Sequence, residues 1–216
     1  MQKIKKLLID NLKWIILFIC VITLLFLIED VMDEDIMKFD ENGYYLVSRY
    51  LFSDKMTVIE QFVTNFGGMY WLIGLSIFLL IVIKNKRIPI SIFLNLGLSA
   101  LTNFTLKQLL QRERPMGYRI IDESGYSLPS GHSMVSMAYY GFLIYLIYKY
   151  VKNKYIKWTL IVLLSLLIVN IGVSRIYLGV HYTSDVIAGF LVAITYLIIF
   201  TNFIKNYINK PEEKKM

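Results

Sequence analysis

The chain has 216 residues, 56% of them hydrophobic, with a mean hydropathy of +0.55 and a net charge of +7. A soluble domain would be nearer half apolar and would scatter its charges, whereas here long apolar runs alternate with charged segments, the pattern of a multi-spanning membrane protein. The single cysteine, Cys20, excludes a disulfide framework and a cysteine zinc site, and the basic residues cluster at the ends of apolar runs, which assigns the positive charge to a membrane surface and not to nucleic acid.

In chain order, apolar runs cover 14–28, 67–83, 88–106, 133–148, 158–173 and 186–204. Each is at or slightly below the roughly 17–25 residues that cross a bilayer, and flanking Lys, Tyr and Trp make up the shortfall. The first run is followed by Glu29-Asp30 and not by a small-residue cleavage site, so a retained span is expected and not a signal peptide. The connection after it, 29–66, opens on Glu29, Asp30, Asp33, Glu34, Asp35, Asp40 and Glu41, which read as a solvated loop. It continues through Tyr45, Leu46, Tyr50, Leu51, Phe52, Val58, Ile59 and Phe62, which suit an amphipathic helix lying in the interface.

Charge then orients the spans. The N-terminus (Lys3, Lys5, Lys6, Lys13), the second-to-third connection (Lys84, Lys86, Arg87), the fourth-to-fifth (Lys149, Lys152, Lys154, Lys157) and the C-terminus (Lys205, Lys210, Lys214, Lys215) hold most of the 23 basic residues, against only Asp10, Glu212 and Glu213. The three other connections taken together are net acidic, with 8 basic and 13 acidic residues. By the positive-inside rule both termini are cytoplasmic. The expected fold is therefore all-α: a polytopic six-transmembrane-helix bundle, with 1–216 as one domain.

The reactive residues gather on the outward side. The chain has two histidines, His132 and His181, and both fall in outer connections. Lys107 ends the third run and Arg114-Pro115 follows seven residues later, two helical turns on, so that both cations project to one side and Pro115 stops the helix. Asn95, Ser99, Thr102 and Asn103 share a stripe with Lys107, which turns that face into the bundle. Pro129-Ser130-Gly131-His132-Ser133 precedes the fourth run: Ser130 suits an N-cap, Gly131 allows an anion close to the backbone, and a helix N-terminus is a seat for phosphate. Ser174-Arg175 ends the fifth run, and His181 and Asp185, at i and i+4 if helical, open the sixth. Asp185 then orients one imidazole nitrogen and leaves the other free to attack or take a proton.

K-x-x-x-x-x-x-R-P at 107–115, P-S-G-H within 129–133 and S-R-x-x-x-x-x-H-x-x-x-D at 174–185 resemble the three signature motifs of the type 2 phosphatidic acid phosphatase superfamily, with no signature position departing from the pattern. The resemblance implies a six-helix membrane fold and hydrolysis of a lipid phosphate or diphosphate without metal or other cofactor, through a phosphohistidine. It implies His181 as nucleophile, Asp185 as its orienting group and His132 as the acid that protonates the leaving alkoxide and then activates water. Lys107, Arg114, Arg175, Ser130 and the Gly131 backbone would bind the phosphate oxygens. Phosphatidylglycerol phosphate, phosphatidic acid and polyprenyl diphosphates all suit such a site. The expected setting is the plasma membrane of a bacterium, with the site facing outward, a lipid phosphate and the bilayer as partners, no nucleic acid, and the oligomeric state left open.

Other readings stay open. A transporter also carries intramembrane polar residues, although here they cluster at one face and no broken, inverted repeats are seen. A vanadium-dependent haloperoxidase shares the phosphate-binding motifs but is soluble. A non-hydrolytic lipid-phosphate binding protein would not need His132, His181 and Asp185 together. Arg112 and Arg119 occupy no signature position and read as solvated loop charges, or otherwise as cations that hold a lipid headgroup.

Overall fold

The computed structural model describes the backbone of residues 2–33 and 37–210 and the side chains of 11–33 and 38–210. Glu34 and Asp35 of the acidic stretch, and Glu212, Glu213, Lys214 and Lys215 of the C-terminal cluster, lie outside the described residues. Among the described residues the chain is all-helical, without strands: α1 (Gln2–Met32), α2 (Met37–Leu51), α3 (Asp54–Asn65), α4 (Met69–Val82), α5 (Arg87–Leu110), α6 (Gly131–Tyr150), α7 (Lys154–Tyr177) and α8 (Thr183–Asn209).

The bundle is built around α6, which packs against α5, α7 and α8, while α1 lies on α8 and α4 on α5. Met134, Val135, Ala138, Tyr139, Tyr140 and Phe142 of α6 are all buried. Its polar groups are satisfied inside the protein, as helix association in lipid favours. Tyr139 Oη lies 3.0 Å from Ser76 Oγ of α4, and Tyr140 Oη donates to the Phe66 carbonyl at 2.7 Å. Leu72, Ile92, Leu96, Ile171 and Phe200 complete the main core around it.

The outer helices leave large apolar side chains facing away from this core, among them Phe18 and Phe26 on α1, Phe78 and Ile81 on α4, Phe104 on α5, Leu166 on α7 and Phe203 on α8. A protein whose solvent is lipid shows this pattern, and the chain is an integral membrane protein. On length and composition, four helices (α1, α5, α7 and α8) can cross a bilayer, and α3 with α4 makes a fifth if that pair, bent by 51°, is one span. The expected count of six therefore exceeds what these two criteria supply. The difference falls on α6, whose apolar average is lowered by polar residues, among them Ser133, Ser136, Tyr139 and Tyr140, which are buried inside the protein and do not face lipid.

The 29–66 connection also differs from expectation. It holds two helices, not one, separated at Phe52-Ser53, where Ser53 caps α3 by accepting from the Met56 N–H at 3.2 Å. Both helices pack on α7, and α2 also meets α8. Nor is its acidic stretch wholly solvated: Asp40 is 2% exposed.

Candidate active site

The site forms where the C-terminal ends of α5 and α7 meet the N-terminal ends of α6 and α8. At the end of α5, Lys107 is half-buried and its ammonium donates to the Tyr126 carbonyl and to that of Ser127 at 3.3 Å. The stripe beneath it turns inward, with Asn95, Ser99 and Asn103 buried and Thr102 half-buried.

Arg114 reaches the site differently from the expected two helical turns. α5 ends at Leu110, with Gln111 in the left-handed region (φ 47°) as its cap, so Arg114 lies in the following loop. Pro115 disfavours helical backbone at the residue before it, but the chain has already left the helix there. The Arg114 guanidinium is clamped by carbonyls: Nε donates to Gly125 (2.9 Å), Nη2 to Ser124 (3.0 Å) and Nη1 to Val180 (2.9 Å). Nη1 also lies 3.0 Å from His181 Nε2.

Ser130 caps α6: its Oγ accepts from the Ser133 N–H at 3.5 Å and from Ser133 Oγ at 2.9 Å. Asn103 of α5 donates to the Pro129 carbonyl at 3.2 Å, and the Ser130 N–H donates to the Asp185 carbonyl at 3.0 Å, which ties the start of α6 to both neighbours. Gly189 makes this approach possible. A Cβ there would stand 3.0 Å from Ser130 O and 3.2 Å from Met134 N, both backbone atoms. Gly131 faces Asn103 and Lys107 from its Cα side. His132, half-buried in the first turn, lies in the field of Arg175, Glu123, Arg114 and Lys107.

His181 sits in the turn between α7 and α8 and not on α8, so its pairing with Asp185 is a capping contact and not a helix-face contact. Asp185, third residue of α8, reaches back so that Oδ2 accepts the Tyr182 N–H at 2.9 Å and lies 3.3 Å from His181 Nδ1. Gly179 turns the chain after α7 with φ +68°, where a Cβ would stand 2.3 Å from Tyr118 O. The tautomer of His181 follows from its neighbours. Arg114 can only donate, so Nε2 accepts, and the ring proton is on Nδ1, facing the carboxylate. Burial first, then the cations Arg175, Arg114 and Lys107, hold the His181 imidazole well below its ordinary pKa, hence neutral.

Arg175 is 1% exposed at the end of α7; Nη1 donates to Thr64 Oγ1 at 2.7 Å and Nη2 is paired with Glu123. Its Nε is buried and has no partner. Burial alone would raise the Glu123 carboxyl, but Arg175, His132 and Arg114 outweigh it and hold it below the usual carboxylate range. An anion therefore already occupies the cationic wall.

Sequence reading missed three participants. Glu123 had no signal, because it meets Arg175 only through the loop fold, 52 residues away in sequence. Arg112 is not a solvated charge: it pairs with Asp185 and Asp40, both at 2.7 Å, and Asp40 lies 72 residues from it. Arg119 is exposed, as expected. Among the described residues no group of His, Cys, Asp and Glu is placed to hold a metal ion.

The PAP2 superfamily matches residues 89–209, which include every residue of the site described above except Asp40 and Thr64. Among characterised relatives, phosphatidylglycerophosphatase B of Bacillus subtilis (strain 168) is 34% identical over 109 residues, 50% of this chain and 53% of that one. Dolichyldiphosphatase 1 of Dictyostelium discoideum is 29% identical over 143 residues, 64% of this chain and 62% of that one. The chain thus spans between about half and three fifths of the length of these relatives. Among solved structures, the transmembrane PAP2-type phosphatidylglycerolphosphate phosphatase from Bacillus subtilis superposes with a TM-score of 0.80 at 23% identity, over 91% of this chain and 98% of that one. Aquifex aeolicus LpxE superposes with a TM-score of 0.61 at 24% identity, over 76% and 95%. At these identities the two structures speak for the fold alone.

Proposed function

The chain belongs to the PAP2 superfamily, and from that premise we propose that it is a membrane enzyme hydrolysing a lipid phosphate or diphosphate through a phosphohistidine. The observation that carries this is the neutral His181, held between Asp185 at Nδ1 and Arg114 at Nε2. The unprotonated Nε2 is the nucleophile and the adjacent Arg114 arm a ready partner for a phosphate oxygen. Lys107, Arg175, Ser130 and the free N–H groups at Gly131 take the remaining oxygens, with Glu123 giving up Arg175 as the substrate enters.

In the first step Nε2 of His181 bonds to phosphorus and the bond from phosphorus to the leaving oxygen breaks. His132 donates the proton that neutralises that oxygen. Asp185 stabilises the positive charge on the phosphorylated imidazole. In the second step His132 takes a proton from water, whose oxygen bonds to phosphorus as the phosphorus–nitrogen bond breaks, which releases phosphate and restores both histidines. For His132 to act first as an acid it must be protonated in the complex. The incoming phosphate dianion favours that state against the surrounding cations.

We assign the chain six spans, counting α6 and the α3–α4 pair, with both termini cytoplasmic and the site at the outer face of a bacterial plasma membrane. The positive-inside bias of the connections supports this orientation. The lipid tail lies among the helices and the headgroup at the ring of helix ends. The relatives act, by name, on phosphatidylglycerophosphate and on dolichyl diphosphate, so the substrate class is a lipid carrying a terminal phosphate or diphosphate.

The test is phosphate release by the purified chain in detergent with excess EDTA. Phosphatidylglycerol phosphate, phosphatidic acid, a polyprenyl diphosphate and a soluble phosphomonoester form the panel, and His181→Ala is the blank. Release that survives EDTA and vanishes in the variant supports the reading, and the order of rates names the substrate. No release from any member would turn the reading toward a transporter or a binding protein.

A further inference from the structure

Behind the Asp185–His181 pair stands a second layer that the mechanism above does not use. Asp40 on α2 is buried against the start of α8, where its Oδ1 accepts the Ser184 N–H at 2.8 Å and its Oδ2 accepts Ser184 Oγ at 2.8 Å. A carboxylate from a separate helix thus caps the N-terminus of α8, where the helix dipole favours negative charge. The same Oδ2 accepts Arg112 Nη2 at 2.7 Å. The other arm of that guanidinium, Nη1, donates to Asp185 Oδ1 and to Ser184 Oγ, both at 2.7 Å. The Tyr182 ring covers the guanidinium, with its centroid 4.0 Å from Cζ.

We infer that Arg112 and Asp40 are positioning residues for the histidine: Asp40 aims Arg112, and Arg112 fixes Asp185 Oδ1 so that Oδ2 is presented to His181 Nδ1. This rests on the proposed role of His181 as nucleophile. The two oxygens of Asp185 have divided tasks, Oδ1 for Arg112 and Oδ2 for His181 and the Tyr182 N–H. Without Arg112, Oδ1 loses its partner and the carboxylate is held through Oδ2 alone. Two carboxylates whose side chains are 1% and 0% exposed would also face each other with no cation between them. Arg and not Lys suits the place, because two arms in one plane bridge two carboxylates. The alternative role, a cation that holds the lipid headgroup, arises because Arg112 also lines a cavity with Val31, Met32, Leu110, Glu113 and Tyr182. Against it, both terminal nitrogens of Arg112 already have partners.

The two roles separate in kinetics. The full chain is assayed in detergent on whichever lipid of the panel above, the polyprenyl diphosphate included, wild type turns over fastest, with kcat taken per vanadate-binding site so that unfolded protein does not count. Arg112→Gln is expected to lower kcat by about 10- to 100-fold, the range for groups that orient a functional ligand from behind, with KM changed by less than about threefold. Asp185→Asn lowers kcat alone, and the double variant is no slower than Asp185→Asn, because Arg112 acts only through Asp185. Asp40→Asn, which keeps the shape, gives a smaller loss that likewise disappears in the Asp185→Asn background; it carries the test if Arg112→Gln does not fold. Losses that multiply in the double variants, or a raised KM at unchanged kcat, overturn the inference while leaving the histidine reading intact. Absence of turnover by wild type on every member of that panel, or turnover that persists in His181→Ala, removes that reading and this one with it.

Discussion

The guanidinium of Arg175 is already engaged by an anion of the protein itself, the carboxylate of Glu123. Glu123 comes from the loop between α5 and α6, its side chain 30% exposed, while Arg175 is fully enclosed. A half-buried carboxylate on a fully buried cation is a contact that an incoming phosphate can replace. Glu123→Gln keeps the size and removes the competing charge. It should tighten binding of vanadate several-fold, by about 1 kcal/mol, measured by inhibition of phosphate release or by calorimetry. Unchanged or weaker affinity would show that Glu123 does not compete with the ligand.

Arg175 itself offers a sharper test. Its Nη1 and Nη2 are directed to Thr64 and Glu123, and its unpartnered Nε is a further donor for a bound oxyanion. Lys in its place keeps the charge and loses the planar fork. Arg175→Lys should therefore lower kcat/KM by about 100-fold or more, the size of effect seen when a donor to a developing oxyanion is removed. A wild-type rate in steady-state assays would mean that Arg175 acts only as a point charge, or not at all.

The two preceding cases mark what the sequence could and could not reveal. Arg175 lay in a motif whose spacing is local, as did Lys107, the Ser130 cap and His181 four residues from Asp185. The long apolar runs likewise announced α4, α5, α6, α7 and α8 to within about five residues at either end, whereas α1 starts well before its run, at Gln2. Glu123, Asp40 and Arg112 carried no such signal. Each meets its partners through tertiary folding, across 52 to 144 residues of chain. An acidic run gives the same pattern whether it stays in water or sends one carboxylate inward to cap a distant helix. The path of Arg114 was misread for a related reason. Seven-residue spacing suits a helix, but a left-handed cap at Gln111 ends α5 earlier, and Gln is an ordinary helix former with nothing to announce the turn.

The neutrality of His181 can be tested without turnover. Burial is the first cause of its lowered pKa, and the cations Arg175, Arg114 and Lys107 add to it. The sign follows directly: a lowered pKa keeps the ring uncharged, and nucleophilic, at every pH above that value. Ring-nitrogen NMR of the protein in detergent should show His181 as the Nδ1–H tautomer, without titration between about pH 5.5 and 8, whereas an ordinary imidazole titrates near 6.5. Arg114→Gln removes one repelling charge and should move any midpoint upward. A wild-type midpoint near 6.5 would mean that His181 is hydrated and not enclosed.

The seam between α6 and α8 supports both histidines, and it depends on the absence of a single methyl group. Ser130, which caps α6, is pressed by its carbonyl against Gly189 of α8, so that a Cβ at Gly189 would meet Ser130 O at 3.0 Å and Met134 N at 3.2 Å. Backbone atoms cannot rotate away as a side-chain end can. The two helices must part by a few tenths of an ångström, and the Ser130 N–H bond to the Asp185 carbonyl, 3.0 Å long, crosses the same seam. Gly189→Ala should cost about 1–3 kcal/mol, as overpacking does, read as a lowered melting temperature in detergent. Because the shift separates the proposed phosphate seat at Ser130-Gly131 from the proposed nucleophile His181, kcat should fall more than tenfold even in protein that remains folded, since a displacement of this order disturbs the attack geometry. A stable variant with a wild-type rate would show that the seam has slack, and that the distance between the two helix starts is not set at this glycine.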